Sequence, residues 1–302
     1  VPFLLDTETP NEPSEFNIKF FVGDKRYWYA LVLDDKQVIK EDVYVYISVQ
    51  PSLVFSRELD GTASLIKLNA SLVKANATIV EQLNVKCLSN MSFFAARNQV
   101  NCSLAYIDEV RDWMKNNMMP IIEPGTRMFE YAGKQMEKNA ELKAYILDFV
   151  HKADYNITDV YTEREKVPIP DFVKTSIMED KDIPEKTKEK MLADNALERL
   201  RTDFQHTVKN KRGEENYKLP NSLQSEGTKR TFGIEAAIYE AIRTNGILPI
   251  DEIESSLHPE LVEFIIEKFL KEKSRSQLIV TSHYDPLLNT VDDLIRKDSV
   301  WF

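Results

Sequence analysis

Two short apolar runs near the end of the chain constrain the fold more than any other feature of the sequence. Residues 247–250 (ILPI) and 277–280 (QLIV) have the length of buried strands, and an amphipathic helix over residues 260–271 lies between them. Strands that are joined through a helix form a right-handed crossover, so they run parallel and lie side by side or nearly so. The sequence therefore predicts an α/β fold with a mostly parallel C-terminal core.

Polar residues follow both runs at the point where each predicted strand ends. Asp251 and Glu252 follow the first run, and His283 follows the second after a threonine and a serine. Parallel strands deliver their carboxyl ends to the crevice where α/β folds bind ligands, so we expect these three side chains at one edge. One carboxylate there can hold Mg²⁺ through its water shell while the other orients or deprotonates a water. The alternative is a strand that ends in solvated acids, with a structural histidine nearby.

A predicted helix start further upstream is a candidate anion site. Ser225 and Gly227 lie just before residues 234–242, whose apolar side chains have helical spacing. The first N–H groups of a helix are free and lie at the positive end of its dipole, so a small hydroxyl residue and a glycine there suit a phosphate. Ser225 fits equally well as an ordinary N-cap.

The order and spacing of these segments resemble those of ABC-type ATPase heads. LQSEGTKR (223–230) resembles their signature loop, LPIDE (248–252) their Walker B motif and VTSH (280–283) their switch-histidine strand. ESSLHP (254–259) occupies the place of the D-loop, with His258 where transporters usually carry an aspartate. The amino-acid sequences of these segments are similar to those of a narrower group, the prokaryotic stand-alone AAA/OLD-like ATP-binding proteins of the abortive-infection class. That group is related to SMC and RecF heads.

The resemblance implies a role for each residue of the candidate site. Asp251 would hold Mg²⁺ through water, Glu252 would be the catalytic base, and His283 would contact the γ-phosphate of ATP as a second catalytic residue. Ser225 and Gly227 would cap the γ-phosphate of a nucleotide bound to the opposite subunit. The other residues implied to bind the cofactor lie next to them or in the D-loop: Lys229, Arg230 and Ser256. ATP and Mg²⁺ are the implied cofactors.

Taken together, the resemblance implies a head that binds and hydrolyses ATP as an ATP-sandwiched homodimer or higher homo-oligomer. Such a head would drive or gate a partner effector in anti-phage defence, with a nuclease or a toxin as the candidate partner. One alternative is a non-hydrolysing, nucleotide-sensing scaffold that regulates a nuclease or toxin, and another is a RecF/SMC-like DNA-repair clamp. Nucleic-acid binders typically carry an excess of positive charge, whereas this chain has a net charge of −10, so contact with DNA would need a local basic patch.

The phosphate-binding loop of the family is the part that this sequence does not contain. No GxxxxGK[ST] pattern occurs in the 302 residues, which include only 8 glycines. In the family that loop precedes the region where this sequence begins, and the opening residues lack an initiator methionine. We therefore expect a fragment, with the Walker A region and the C-terminal continuation outside it. A relative that has lost the loop is the alternative.

The pattern of residues predicts three parts. Residues 1–65 would form an antiparallel β subdomain with four short strands, 66–200 a helical lobe, and 201–302 the part with the signature, Walker B and switch-histidine motifs. Three consecutive aromatic residues in the first part are either a platform for adenine, as the resemblance implies, or members of the core and of cross-strand pairs: Tyr27, Trp28 and Tyr29.

The sequence also predicts where the protein resides. No apolar run approaches the roughly 20 residues of a membrane span, and no signal peptide is visible. The two cysteines have neither disulfide-scaffold nor metal-site spacing, as is typical of a reducing compartment. We therefore expect a cytoplasmic protein without a membrane partner.

Overall fold

The computed structural model describes residues 5–153, 155–180, 182–193 and 196–301. The chain divides into two compact units, Val1–Met118 and Met119–Phe302. Each unit has its own cluster of buried apolar side chains. Both units mix antiparallel strands with helices, so the α/β class predicted from the sequence agrees with the structure at this coarse level.

In the first unit, the described residues form a five-stranded antiparallel sheet in which strands pair in sequence order. The strands are β1 (Ser14–Val22), β2 (Lys25–Leu33), β3 (Val38–Tyr46), β4 (Ser52–Asp60) and β5 (Ala63–Leu68). β1 to β4 are the four predicted strands, and β1 and β2 form a hairpin. β5 was not predicted, because its apolar residues fall on both faces: Ile66 is buried whereas Leu65 is 44% exposed.

Three helices pack on one face of this sheet. They are α1 (Ala77–Lys86), α2 (Phe93–Arg97) and α3 (Ile107–Asn117). The side chains of Asn76 and Ser92 cap α1 and α2 by accepting a backbone N–H of the first turn, at 2.9 and 3.3 Å. Helix α3 turns an apolar face, which begins with Ile107 and Val110, toward the core.

The three consecutive aromatic residues belong to this unit's core and to its cross-strand pairs. Tyr27 is fully buried, and its hydroxyl donates a hydrogen bond to Glu109 at 2.7 Å. Trp28 stacks on Tyr44 of the neighbouring strand with ring centroids 4.7 Å apart. Tyr29 donates its hydroxyl hydrogen to Glu41. The interpretation as core and cross-strand pairs explains all three without a ligand.

The second unit contains the remaining elements. Its helices are α4 (Met128–Lys138), α5 (Ala140–Lys152), α6 (Asp171–Glu179), α7 (Glu185–Ala193), α8 (Glu226–Thr244) and α9 (Pro259–Lys271). Its strands are β6 (Asp159–Pro168), β7 (Ala196–Asn210), β8 (Gly213–Pro220), β9 (Ile247–Ile250) and β10 (Gln277–Val280). Strands β6, β7 and β8 form an antiparallel sheet, and β9 and β10 form a parallel pair.

Residues 66–200 contain strands as well as helices, which corrects the prediction of a helical lobe. β6 pairs antiparallel with the first part of β7, from Asp159↔Gln205 to Pro168↔Ala196. Within β6 only Val160 is buried, so the strand has no apolar face that a sequence pattern can reveal. The second half of β7 pairs antiparallel with β8, and a turn joins the two strands.

The parallel pair confirms the crossover predicted from the two apolar runs. β9 and β10 align from Ile247↔Gln277 to Ile250↔Val280, and α9 connects them. Helix α8 precedes β9 and buries one face against the same core. No helix within the described ranges is long and apolar enough to cross a membrane.

A third segment extends this parallel arrangement and was not predicted. The N–H groups of Met119 and Ile122 donate to carbonyls of β9 at 3.0 Å, and Ile122 forms a parallel bridge with Ile250. These carbonyls face away from β10, so the segment lies on the other edge of β9. The carboxyl ends of three neighbouring segments therefore meet at one place.

Candidate functional site

The candidate site begins where β9 and β10 end. The N–H of Asp251 donates to the carbonyl of Ile122 at 2.9 Å, and the N–H of Thr281 donates to that of Ile250 at 3.0 Å. These two bonds bring the residues after β9 and those after β10 to the same edge. The adjacency of Asp251, Glu252 and the segment up to His283, which the sequence predicted, is present in the structure.

Thr281 fixes both acidic residues. Its hydroxyl donates a hydrogen bond to Oδ1 of Asp251 and accepts the N–H of Glu252 at 2.9 Å. Glu252 has φ 44°, a left-handed conformation that non-glycine residues rarely adopt. Thr281 thus orients the first carboxylate and holds the unusual backbone of the second, although the sequence analysis gave this threonine no role.

The side chains of Glu252 and His283 lie next to each other and are open to solvent. Oε1 of Glu252 is 3.8 Å from Nε2 of His283, and the two side chains are 44% and 86% exposed. At that distance they form an ion pair when the imidazole is protonated. Both groups are accessible to a bound phosphate or water.

Glu254 holds the histidine segment and was also missed by sequence reasoning. Its Oε1 accepts the backbone N–H of His283 at 2.6 Å. Partial burial disfavours the charged carboxylate, but the hydrogen bonds from the His283 backbone and neighbouring groups outweigh it and lower the pKa of Glu254. The sequence does contain an indication of this role, because Glu254 is the third acidic residue of the DEIE segment (251–254) and lies two residues after Glu252.

Ser225 and Gly227 form the start of α8. Ser225 is the N-cap, because its Oγ accepts the N–H of Thr228 at 3.0 Å, and its side chain is exposed. A Cβ on Gly227 would lie 2.6 Å from the carbonyl oxygen of Ser256, a distance that backbone atoms cannot tolerate. Glycine is therefore required for the close approach of α8 to the predicted D-loop. Ser256 itself has φ 62° and an exposed side chain.

The two basic residues after this turn have partners within the protein. Nζ of Lys229 forms an ion pair with Glu226 of the same helix at 2.7 Å. The guanidinium of Arg230 donates to four backbone carbonyls, those of Glu123, Pro124, Asp251 and Glu252. Burial lowers the pKa of Arg230, but the side chain stays protonated. These backbone contacts differ from the phosphate contact that the resemblance implied for Arg230.

A cavity of about 530 Å³ lies beside the first turn of α8. It is lined by the loop before α4, by part of the segment before α8, and by three of the predicted cofactor-binding residues: Lys229, Arg230 and Ser256. Asp251, Glu252 and His283 do not line it. The sheet edge that carries these three side chains, called the acidic edge below, is therefore an open surface that is separate from this cavity.

The residues at the acidic edge fit Mg²⁺ that is shared with a nucleotide. Mg²⁺ usually binds through one or two carboxylates and substrate phosphates and keeps several waters. Asp251 and Glu252 supply two adjacent carboxylates. Across the described ranges, no group of three or more His, Cys, Asp or Glu side chains is placed to hold a metal ion. The donor set suits a nucleotide-bound ion and does not suit a metal cage made by the protein alone.

Comparison with known proteins assigns the family. No curated protein matches the chain. A family model with the description "AAA domain, putative AbiEii toxin, Type IV TA system" matches residues 130–289, which is more than half of the chain. The matched region includes the start of α8, the acidic edge after β9 and the histidine after β10. The chain therefore belongs to this family of AAA domains.

Proposed function

We propose that this protein is an ATPase head that binds ATP with Mg²⁺ and hydrolyses it. The observation that carries the proposal is the meeting of Asp251, Glu252 and His283 at the carboxyl edge of two parallel strands, in a chain of the AAA-domain family. Such an edge is where α/β folds place their ligands. Membership of an AAA family supports nucleotide binding, and the paired carboxylates support hydrolysis.

Each residue of the edge has a separate task in this proposal. Asp251, oriented by the hydroxyl of Thr281, binds Mg²⁺ through water. Bound Mg²⁺ supplies charge neutralisation at the β- and γ-phosphates. Glu252 orients the attacking water and accepts its proton, since its carboxylate is exposed and its backbone is fixed. His283, held by Glu254, contacts the γ-phosphate.

The start of α8 suggests how the site is completed. Ser225 is exposed at the positive end of a long helix, where free N–H groups suit a phosphate. In the proposal, Ser225 and Gly227 cap the γ-phosphate of the nucleotide held by a second copy of the chain. The head thus works as an ATP-sandwiched homodimer.

The family description gives the proposed biological setting. It names a putative toxin and a type IV toxin–antitoxin system. We infer that the ATPase head drives or gates a partner effector, a nuclease or a toxin, in defence against phage. ATP hydrolysis would set how long the effector stays active.

The test is the substitution Glu252→Gln in the full-length protein. The amide keeps the shape of the side chain but cannot accept a proton, so turnover should fall by at least about 100-fold while ATP binding persists. The matched control is Glu260→Gln, which removes an acid that is 91% exposed in the first turn of α9. ATPase rates and fluorescent-nucleotide titration measure the two effects. A normal rate in Glu252→Gln would refute the assignment. ATP binding without hydrolysis by the unmodified protein would favour a non-hydrolysing scaffold.

A further inference from the structure

Arg230 joins two loops that leave neighbouring parallel segments. One terminal nitrogen of its guanidinium donates to the carbonyls of Glu123 and Pro124, at 3.4 and 3.0 Å. The other donates to those of Asp251 and Glu252, at 3.4 and 3.1 Å. A planar guanidinium has its donors in a fixed fork and can serve both pairs at once, whereas an ammonium group is a single point charge. The geometry therefore specifies arginine.

The contact with Glu252 restrains the residue proposed as catalytic base. Its φ of 44° costs free energy and persists only where the surroundings hold it. Three hydrogen bonds do so: the N–H of Glu252 donates to Thr281, and the carbonyl of Glu252 accepts from Arg230 at 3.1 Å and from the N–H of Ser255 at 2.9 Å. Arg230 thus supplies one of these three restraints on the Glu252 backbone, and it is the one that comes from α8.

Arg230 also belongs to the helix that carries the signature residues. It lies in the second turn of α8, and Ser225 is the N-cap of that helix. Gly227 packs directly on the carbonyl of Ser256, so the first turn of α8 is in van der Waals contact with the predicted D-loop. A small displacement of α8 therefore moves the guanidinium relative to the carbonyls of Asp251 and Glu252.

We propose that Arg230 is a positioning residue that couples the start of α8 to the backbone of Glu252. The inference rests on the proposed function, in which α8 of one subunit caps the nucleotide of the other. Occupancy of the partner's site would then set the geometry of the catalytic base in the subunit's own site. Arg230 acts through Glu252, without touching the nucleotide, and makes the two sites of a dimer interdependent.

The restraint can be measured in the full-length protein without nucleotide. Arg230→Gln should speed amide hydrogen exchange in residues 251–255 by about tenfold, because the loop loses its contacts with the guanidinium. Arg230→Lys keeps the charge and should recover only part of the protection. The control is Lys229→Gln, since Lys229 pairs only with Glu226 of its own helix among the described residues. Exchange in Arg230→Gln equal to that of the unmodified protein would overturn the proposal.

Turnover then separates this inference from the function on which it rests. Arg230→Gln should lower kcat by about tenfold and change KM for ATP by less than about threefold, because the base is misplaced while binding remains. If exchange rises as expected but Glu252→Gln hydrolyses ATP normally, the ATPase proposal fails and the restraint stands. If Glu252→Gln is inactive while Arg230→Gln has normal kcat and exchange, only the role of Arg230 fails.

Discussion

Each unit of the chain holds a glutamate in a network of hydrogen bonds, and the two networks differ in which part of the residue they hold. Glu41 in the first unit is fully buried, and its two carboxylate oxygens accept the hydroxyl of Tyr29 and the N–H of Phe93. Glu252 in the second unit is held by its backbone, and its carboxylate is 44% exposed. A carboxyl group engaged on every side is part of the core and is closed to a ligand. A carboxylate whose residue is held only through its backbone remains available to a ligand.

The largest expected effect concerns the exposed site and its completion by a second copy. Ser225→Arg should eliminate ATP-driven dimerisation, because a bulky cation fills the space for the γ-phosphate of the other subunit. Mixing it with Glu252→Gln should restore turnover, because each mixed dimer has one productive site and can reach at most about half the rate of an unmodified dimer. Analytical ultracentrifugation with ATP and ATPase assays on the mixture measure these effects.

Mixed dimers regain activity only if the two substitutions affect different halves of one site. The productive site combines the acidic edge of the Ser225→Arg subunit with the intact α8 start of its Glu252→Gln partner. If Ser225 is only an N-cap, its replacement costs about 1 kcal/mol of stability and the mixture stays inactive. Unchanged dimerisation together with no rescue would remove the support for the signature-loop assignment.

The second effect concerns the buried network around Glu41. Arg57 is fully buried and donates to the carbonyl of Val38, to Ser64 and to the carbonyls of Leu88 and Ser89. Arg57→Met should reduce the free energy of unfolding of this unit by about 3–5 kcal/mol, because buried acceptors lose their partner. Urea denaturation measures it. Lys67→Met, at a side chain that is 71% exposed, is the control and should change little. A loss below about 1 kcal/mol would mean that water replaces the arginine.

Gly227→Ala tests the close approach of α8 to the D-loop. The added methyl group would meet the carbonyl oxygen of Ser256 at 2.6 Å, so one of the two backbones must move. We expect a loss of about 1–3 kcal/mol in stability, read from thermal unfolding. Gly125→Ala is the matched control, because nothing lies within 4 Å of its added Cβ. Equal melting temperatures for the two variants would contradict the steric account.

A further effect is a dependence of stability on pH that arises from the buried glutamate. Burial raises the pKa of Glu41 from 4.5 to about 7, although the Phe93 N–H, Tyr29 and Arg57 favour the charged form. The folded state therefore binds this proton more tightly than the unfolded state. Its contribution is complete below pH 4.5 and is lost as the pH rises through about 7.

When the pH rises from 5 to 8, the free energy of unfolding should fall by about 2.5 kcal/mol, because the unfolded state releases a Glu41 proton that the folded state keeps up to a pH of about 7. Glu41→Gln removes this titration, so the difference between that variant and the unmodified protein should change with pH. Urea midpoints at the two pH values provide the measurement. A constant difference would show that Glu41 remains charged in the folded state.

The sequence predicted the parts of the fold and site that follow from local periodicity. β9, α9 and β10 were predicted with their parallel pairing, and so was the meeting of Asp251 and Glu252 with the histidine segment. Alternation or helical spacing was sufficient for these elements. The helix start at Ser225 likewise follows from a residue type with a strong N-cap preference.

The parts that were missed depend on contacts between distant segments. Strand β6 is mostly polar and forms because β7 supplies its hydrogen-bond partners, so its own residues have no strand signature. The role of Arg230 depends on the path of two loops whose carbonyls converge on it, and the sequence does not show which backbone carbonyls a side chain will meet. The same holds for Glu254, whose partner is a backbone N–H.

The glycine at the start of α8 has a consequence for telling active from inactive members of the family. Gly227 is required by its contact with the carbonyl of Ser256, whether or not a nucleotide is ever bound there. A relative that has lost hydrolysis but kept this fold should therefore still carry the glycine. Glu252, whose exposed carboxylate packs against no core, is free to change once catalysis is lost. Under the proposed ATPase function, the acid is thus the better diagnostic of activity, and the glycine reports only on architecture.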